Sequence, residues 1–508
     1  MTTAAGETPL TPWDSHNQTL MGHVSPTDWT NPTPDGRYNL VVVGAGTAGL
    51  VTAIVAAGLG AKVAMVEKHM LGGDCLNTGC VPSKALIAAA HAAANVRSAP
   101  SFGVQGSGEL PPVDFGAVME RMRALRATIA VHDSAARFRD LGIDVFLGAG
   151  TFVGKDTLEV DGAKLEFKRA AIATGARAFV PPIPGLAESG FLTNETVFSL
   201  TELPPRLGVI GGGPIGCELA QAFARFGSEV HLVELADRIL PREEADASQL
   251  VHDAMLKDGV SMHVGHKLTE VRGGESKALM LDGEDGAKEV VVDAILVAIG
   301  RAPNVEGLGL EAAGVQFHRK GVQVDDFLRT TNPRIYAAGD VAQKYQFTHT
   351  ADFNARIVVR NALFLGRQRL SSLNVPWATF TDPEVAHVGL TVADAEERGV
   401  EMRTFTEQFS SVDRAILDGE TEGYARVHIA GNSDRILGAT IVGKGAGDLI
   451  SEFSVAMAGG MGLGALASVI HPYPTRAEII PKLANAYNRT RFTPFVAGAS
   501  KRFLALTR

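Results

Sequence analysis

Short runs of β-branched and apolar residues alternate along this chain with longer alanine-rich stretches, and that rhythm predicts strands followed by helices. Tyr38–Val43 is one such run. It leads into Gly44-Ala45-Gly46-Thr47-Ala48-Gly49, an Ala-rich helix across Leu50 to Ala61, and a strand from Lys62 to Val66 that ends in Glu67. The order recurs at Leu207–Ile210, Gly211-Gly212-Gly213-Pro214-Ile215-Gly216, a helix through Phe226, and a strand from Glu229 to Val233 that ends in Glu234. In both copies 23 positions separate the first glycine (Gly44, Gly211) from the acid (Glu67, Glu234). A strand, tight turn, helix and second strand form a parallel α/β unit, so the chain is expected to be α/β with two such folds.

Each unit has the layout of a dinucleotide site. The first glycine allows the turn, the second admits a pyrophosphate against backbone N–H groups, and the third lets helix pack on strand. Gly44, Gly46, Gly49 and Gly211, Gly213, Gly216 are therefore candidate cofactor contacts, with Glu67 and Glu234 placed to accept hydrogen bonds from a ribose diol. Glu234 would also repel a 2′-phosphate. Leu235 and Ala236 follow it and the nearest base is Arg238, so NADH is expected to be preferred over NADPH.

A composition 45% hydrophobic and 20% charged is that of a globular protein. No run approaches the ~18 apolar residues a membrane span needs, and no membrane partner is expected. The net charge of −9 argues against nucleic acid, which requires a basic face. Residues 1–37 lack a signal-peptide pattern, and prolines at 9, 12, 26, 32 and 34 predict no helix there. Trp13, Leu20, Met21 and Trp29 are apolar enough for an extended arm packed on the body or on a second subunit, with plain disorder the alternative.

Two of only three cysteines, Cys75 and Cys80, fall inside Gly72-Gly73-Asp74-Cys75-Leu76-Asn77-Thr78-Gly79-Cys80-Val81-Pro82-Ser83-Lys84. Thiols with only four residues between them can close into a strained, reducible disulfide beside glycines that admit a flat cofactor, so the pair reads as a redox centre. So sparse a cysteine count fits a reducing cytoplasm rather than a secreted disulfide scaffold. The third, Cys217, reads as a small core residue.

With these motifs the chain resembles the FAD-dependent pyridine nucleotide-disulfide oxidoreductases, a family that includes dihydrolipoamide dehydrogenase, glutathione reductase and mercuric reductase. The likeness runs from about Tyr38 onward and extends to Ala173-Thr174-Gly175, Ala298-Ile299-Gly300-Arg301-Ala302-Pro303-Asn304 and Ile335-Tyr336-Ala337-Ala338-Gly339-Asp340. It implies bound FAD, with Thr174, Gly175, Gly300, Arg301 and Asp340 among the cofactor residues and Asp340 on the ribityl chain. It also implies that Cys80 faces the flavin as the charge-transfer thiolate, that Cys75 is the outer thiol, and that Lys84 pairs with Glu218 near flavin N5. The implied layout is an arm at 1–37, an FAD-binding segment at 38–186, an NAD(P)-binding domain at 187–301, a returning FAD segment at 302–370, and an α+β dimerisation domain at 371–508. In a homodimer, Tyr473 and Glu478 would complete the site of the opposite subunit.

The stretch His471-Pro472-Tyr473-Pro474-Thr475-Arg476-Ala477-Glu478 bears on the acceptor. Thiol reductases of the family place a histidine where this chain has Tyr473. A phenol is a poor base at neutral pH, and mercuric reductases resemble this chain in carrying tyrosine there. The expected acceptor is thus Hg(II) or a related soft metal or thiol, with Cys75 and Cys80 as transient ligands and no stably bound metal. The chain lacks the C-terminal cysteine pair and the N-terminal C-x-x-C domain of mercuric reductases, and Glu234 points to NADH where that group generally uses NADPH. A dihydrolipoamide dehydrogenase-like or other small-disulfide reductase, with His471 as the base, is the first alternative. A non-catalytic flavoprotein subunit or redox sensor is the second.

Overall fold

In a computed structural model, which describes residues 10–508 apart from 106–107, 110–111 and 275, the run Tyr38–Val43 is a central strand. It pairs in parallel with Val63–Glu67 on one side (Leu40 opposite Val63) and with Ala163–Ile172 on the other (Val43 opposite Ile172). Asp144–Leu147 extends the sheet past Val63–Glu67. Ile335–Ala337 returns from far along the chain to pair in parallel with Ala163–Ile172. Leu40 and Val42 enter one apolar core and Val41 and Val43 the core on the opposite face. A parallel sheet covered on both faces requires such a continuous apolar strand.

The second nucleotide fold is a four-stranded parallel sheet in the order Val260–Val264, Glu229–Glu234, Arg206–Ile210, Ala294–Val297. An antiparallel meander, Lys267–Arg272, Lys277–Gly283 and Gly286–Val292, accompanies it. The helix Pro214–Phe226 is buried from Gly216 to Phe226, which its small and apolar residues permit.

Both nucleotide folds belong to one compact unit, residues 1–237 with 259–373; the other comprises 238–258 with 374–508. The second unit is α+β. Its five-stranded antiparallel sheet runs in the order Pro376–Thr379, Glu384–Gly389, Ile436–Gly443, Tyr424–Ala430, Met402–Gln408. Ile436–Gly443 is buried along its whole length. The helix Ile479–Thr490 turns Ile479, Ile480, Leu483, Ala484 and Tyr487 into that core. The final helix, Pro494–Leu506, has no buried residue. The α/β class, with two nucleotide folds and a C-terminal α+β domain, matches the expectation from the sequence. No helix among the described residues is long and apolar enough to cross a membrane.

One expectation is corrected. The arm carries a helix, Ser15–Val24, where the prolines predicted none. Pro12 and Pro26 lie outside it and bound it, whereas a proline breaks a helix only from within. The Asp14 carboxylate caps its N-terminus by accepting from Asn17 N–H, and Asn17, Leu20, Met21 and Val24, spaced as one helical face, are buried. The arm continues over the first sheet: Trp29 Nε1 donates to the Val145 carbonyl at 3.1 Å and Asn31 Nδ2 to that of Leu147 at 2.9 Å.

Candidate functional site

The two glycine loops have the same local geometry. Gly44 and Gly211 adopt φ of +100° and +110°, and a Cβ on either would sit 2.4 Å from the Ala173 carbonyl oxygen or 2.6 Å from that of Ala298. At Gly49 and Gly216 a Cβ would strike the oxygen of the first glycine, at 1.8 and 1.9 Å. The middle glycines differ: a Cβ at Gly213 would meet nothing within 4 Å, and one at Gly46 only the Gly73 Cα at 3.7 Å. Gly46 and Gly213 are also the N-caps of Thr47–Gly58 and Pro214–Phe226, and neither helix has a side-chain cap. Open space before uncapped helix N–H groups suits a pyrophosphate. Each acid grips its own loop: Glu67 accepts from Ala45 N–H (2.6 Å) and His69 N–H (2.9 Å), and Glu234 from Gly212 N–H (2.6 Å) and Ala236 N–H (2.7 Å).

The dithiol segment lies directly against the first loop, since a Cβ on Gly73 would fall 2.7 Å from the Gly46 Cα. Cys75 sits in the short helix Gly73–Asn77 and Cys80 opens the helix Cys80–Ser98. The two thiols are hydrogen-bonded to each other, and Cys80 Sγ also lies 3.4 Å from Thr348 Oγ1. Their acidities diverge. The bond to Cys80, then burial, pushes the Cys75 thiol up. The bond from Cys75, aided by Thr348 and Lys84 against the cost of burial, holds Cys80 below the ordinary thiol value. In the reduced pair these directions favour the thiolate at Cys80 and the protonated thiol at Cys75. Cys217 is fully buried, its Sγ donating to the Gly212 carbonyl at 3.3 Å.

Lys84, on the helix that begins at Cys80, reaches the helix after the second glycine loop, where its Nζ donates to Glu218 Oε2 at 2.6 Å. Arg301 meets three groups at once. It pairs with Asp74, donates to the Ala176 carbonyl at 2.6 Å, and brings Nε to 3.3 Å from Asp340 Oδ2. Burial pushes the Asp340 carboxyl above the usual carboxylate range; the Arg301 guanidinium opposes that rise, and the charges of Asp74 and Cys80 add to it. Thr174 donates to the Asn304 carbonyl at 2.7 Å and Asn304 Nδ2 returns to the Thr174 carbonyl at 2.9 Å, while Ala176–Ala178 pairs with Arg301–Pro303. Thr174, Gly175, Gly300 and Arg301 therefore gather where the chain crosses between the nucleotide folds. Asp74 and Thr348 were not singled out from the sequence; adjacency to Cys75 was a signal for Asp74, and nothing local marked Thr348.

In the second unit, His471 is held at both ring nitrogens, Nε2 by Glu452 at 2.9 Å and Nδ1 by the Val469 carbonyl at 3.1 Å. Tyr473 is 69% exposed and donates its hydroxyl to Asp413 Oδ2 at 2.9 Å, a bond that raises the phenol further from neutrality. Glu478 keeps one buried carboxylate oxygen, Oε2, without a hydrogen-bond partner. Among the described residues no group of three or more His, Cys, Asp or Glu side chains is arranged to hold a metal ion.

Two paired nucleotide folds and a dithiol wedged against the first define a flavoprotein disulfide reductase architecture. The pyridine nucleotide-disulphide oxidoreductase family matches residues 38–355, and its dimerisation domain matches 375–484. The chain is 35% identical to a mercuric reductase of Staphylococcus aureus over 90% of its own length and 83% of that protein. It is 36% identical to the dihydrolipoyl dehydrogenase of Bacillus subtilis over 87% and 95%. A solved Cu(II) complex of RclA, the HOCl-induced flavoprotein disulfide reductase of Escherichia coli, superposes with a TM-score of 0.78 at 29% identity, covering 87% of this chain and 99% of that one. The chain belongs to the pyridine nucleotide-disulphide oxidoreductases. It is an enzyme of a family that depends on FAD and uses NAD(P)H, and its dimerisation domain supports a homodimer. The open middle glycine and uncapped helix at Gly46 fit the FAD pyrophosphate.

Proposed function

We propose that this enzyme reduces Hg(II), or a soft metal ion like it, with electrons from NADH, and that Cys75 and Cys80 are the sulfur pair that meets the metal. The observation that carries this reading is the state of Tyr473 and His471. A phenol tied to Asp413 is a poor proton acceptor, and an imidazole whose two nitrogens face the Glu452 carboxylate and the Val469 carbonyl presents neither of them to an outer thiol. A reaction that ends in metal reduction has less need of that base. The overall change balances as NADH + Hg(II) → NAD⁺ + H⁺ + Hg(0), the nicotinamide losing two electrons and the metal gaining them. The mercuric reductase relatives and the copper complex of RclA support soft-metal contact.

Roles for the remaining residues follow. Cys80, already a thiolate, and Cys75, whose proton leaves as it takes the metal, would ligate Hg(II) as a soft S₂ pair. Gly44, Gly46, Gly49, Glu67 and Asp340 would hold FAD, which when bound relays two electrons between nicotinamide and dithiol. Thr174, Gly175, Gly300 and Arg301 would fix the crossing beside it, and the Lys84–Glu218 pair would set the charge there. Gly211, Gly213, Gly216 and Glu234 would hold the nicotinamide dinucleotide, the carboxylate favouring NADH. A reducing cytoplasm suits a free dithiol.

A small-disulfide reductase is the second reading, favoured by the Glu452 carboxylate on His471, the kind of partner that orients a catalytic imidazole. An acceptor panel separates the two. Holoenzyme with NADH should reduce Hg(II) in excess thiol, leave lipoamide and glutathione disulfide untouched, and lose the Hg(II) reaction in Cys75→Ser. Turnover of lipoamide without Hg(II) reduction would reverse the assignment.

A further inference from the structure

We propose that the N-terminal arm belongs to the working parts of the dithiol site, with Asn17 a positioning residue that acts through Arg126 on the loop between Cys75 and Cys80. The inference rests on the reading of those cysteines as a redox pair. The arm lies wholly outside the family match, which begins at residue 38.

Three attachments join arm and loop. The Arg126 guanidinium is 2% exposed and forks between them: Nη2 donates to Asn17 Oδ1 at 2.7 Å and Nη1 to the Asn77 carbonyl at 2.7 Å, and Asn77 sits midway between the two cysteines. Asn17 is itself fixed, since its Nδ2 donates to the Pro12 carbonyl at 2.7 Å. At the end of the arm helix the Val24 carbonyl accepts from Leu71 N–H at 3.0 Å, just ahead of the glycines that precede Cys75. Leu20, Met21 and Val24 share a core with Leu71 and with Leu76, the residue after Cys75. Arg123, which shares the helix Phe115–Ala130 with Arg126, is taken by Asp14, so it does not compete for Asn17. Arg126 and Asn17 are both buried, and a buried guanidinium that loses an acceptor must find another or shift.

Pinning the Asn77 carbonyl restricts where the two sulfurs can go. A loop so held keeps Cys75 and Cys80 at high effective concentration, which favours the closed disulfide over the open dithiol. Closure joins the Cys80 thiolate to the Cys75 sulfur in one S–S bond, releases the one proton held by Cys75 and passes two electrons to an oxidant. Freeing the loop gives the dithiol more conformations and makes the disulfide easier to reduce.

The test equilibrates holoenzyme in glutathione redox buffers, where the pair closes as glutathione disulfide becomes two glutathiones, and reads Cys75 and Cys80 by thiol alkylation and mass. Asn17→Leu should lower the closure constant about tenfold, a midpoint about 30 mV less negative. Asn17→Asp, which keeps the acceptor for Arg126, should restore it. Asn17→Ser, with shortened reach, is carried alongside so that failure of Asn17→Leu to fold leaves an intermediate shift to measure. Asn31→Ala removes an arm bond far from the loop and should cost thermal stability without moving the midpoint. If Asn17→Leu and Asn17→Ser melt earlier yet keep the wild-type midpoint, the arm is structural only and the proposal fails. Wild-type protein that never forms the Cys75–Cys80 bond in any buffer would instead overturn the redox reading beneath it.

Discussion

The Lys84 ammonium and the Glu218 carboxylate meet at 2.6 Å across 134 positions of sequence, joining the helix that begins at Cys80 to the helix behind the second glycine loop. The Glu218 side chain is only 6% exposed and that of Lys84 37%, so the carboxylate depends on its partner far more than the amine does. Lys84→Met should therefore destabilise the protein by about 1–3 kcal/mol, below the range for a fully buried pair because the amine is partly solvated. Adding Glu218→Leu should recover part of that loss in denaturant titrations of the double variant. An additive loss would show that the pair is not coupled.

Thr348 touches the sulfur that carries the negative charge. Its removal in Thr348→Val should raise the pH at which Cys80 loses its thiolate by about one to two pH units, the worth of a single hydrogen bond to a charged group. In wild type the thiolate should persist below the ordinary thiol range, read as the pH dependence of alkylation of the reduced protein. A Thr348→Val profile superimposable on wild type would remove Thr348 from the account.

Glu243 gives the second unit a pH signature. Burial raises its carboxyl to about 7, and Trp377 Nε1, donating to Oε1 at 2.7 Å, pulls the other way. A carboxyl that holds its proton more tightly when folded stabilises the fold at low pH, and that contribution is lost as pH rises through 7. Glu243→Gln keeps the acceptor for Trp377 and removes the titration. The variant should gain on wild type between pH 5 and pH 8 by about 2–3 kcal/mol, measured as the difference between their unfolding free energies. Parallel pH curves would contradict it.

Discrimination between nicotinamides should follow Glu234. Wild type is expected to favour NADH over NADPH at least about tenfold in kcat/KM, and Glu234→Gln to narrow the ratio by removing the charge that opposes a 2′-phosphate. An NADPH preference in wild type would refute this reading of Glu234.

Much of the frame could be read without coordinates because it rests on local rules. Gly44 and Gly211 sit where a strand must turn sharply into a helix, Gly49 and Gly216 where that helix must touch the strand's end, and those needs lie within six residues. The arm helix was hidden by an overweighted signal, Pro12 and Pro26, although Asp14 and the spacing of Asn17, Leu20, Met21 and Val24 were in plain view. Arg301 with Asp74 lay beyond reach for a different reason: the partners are 227 positions apart, and no periodicity announces such a meeting. His471 shows the same limit. Its chemistry could be named, but not that Glu452 and the Val469 carbonyl already occupy both nitrogens.

Gly46 and Gly73 press backbone against backbone with no room for even one methyl group on Gly73. The first glycine loop and the sulfur-bearing segment therefore share a seam, and neither can drift without dragging the other. Any side chain at Gly73 would have to displace the Gly46 backbone in the same step, so the two segments answer to one shared spatial constraint.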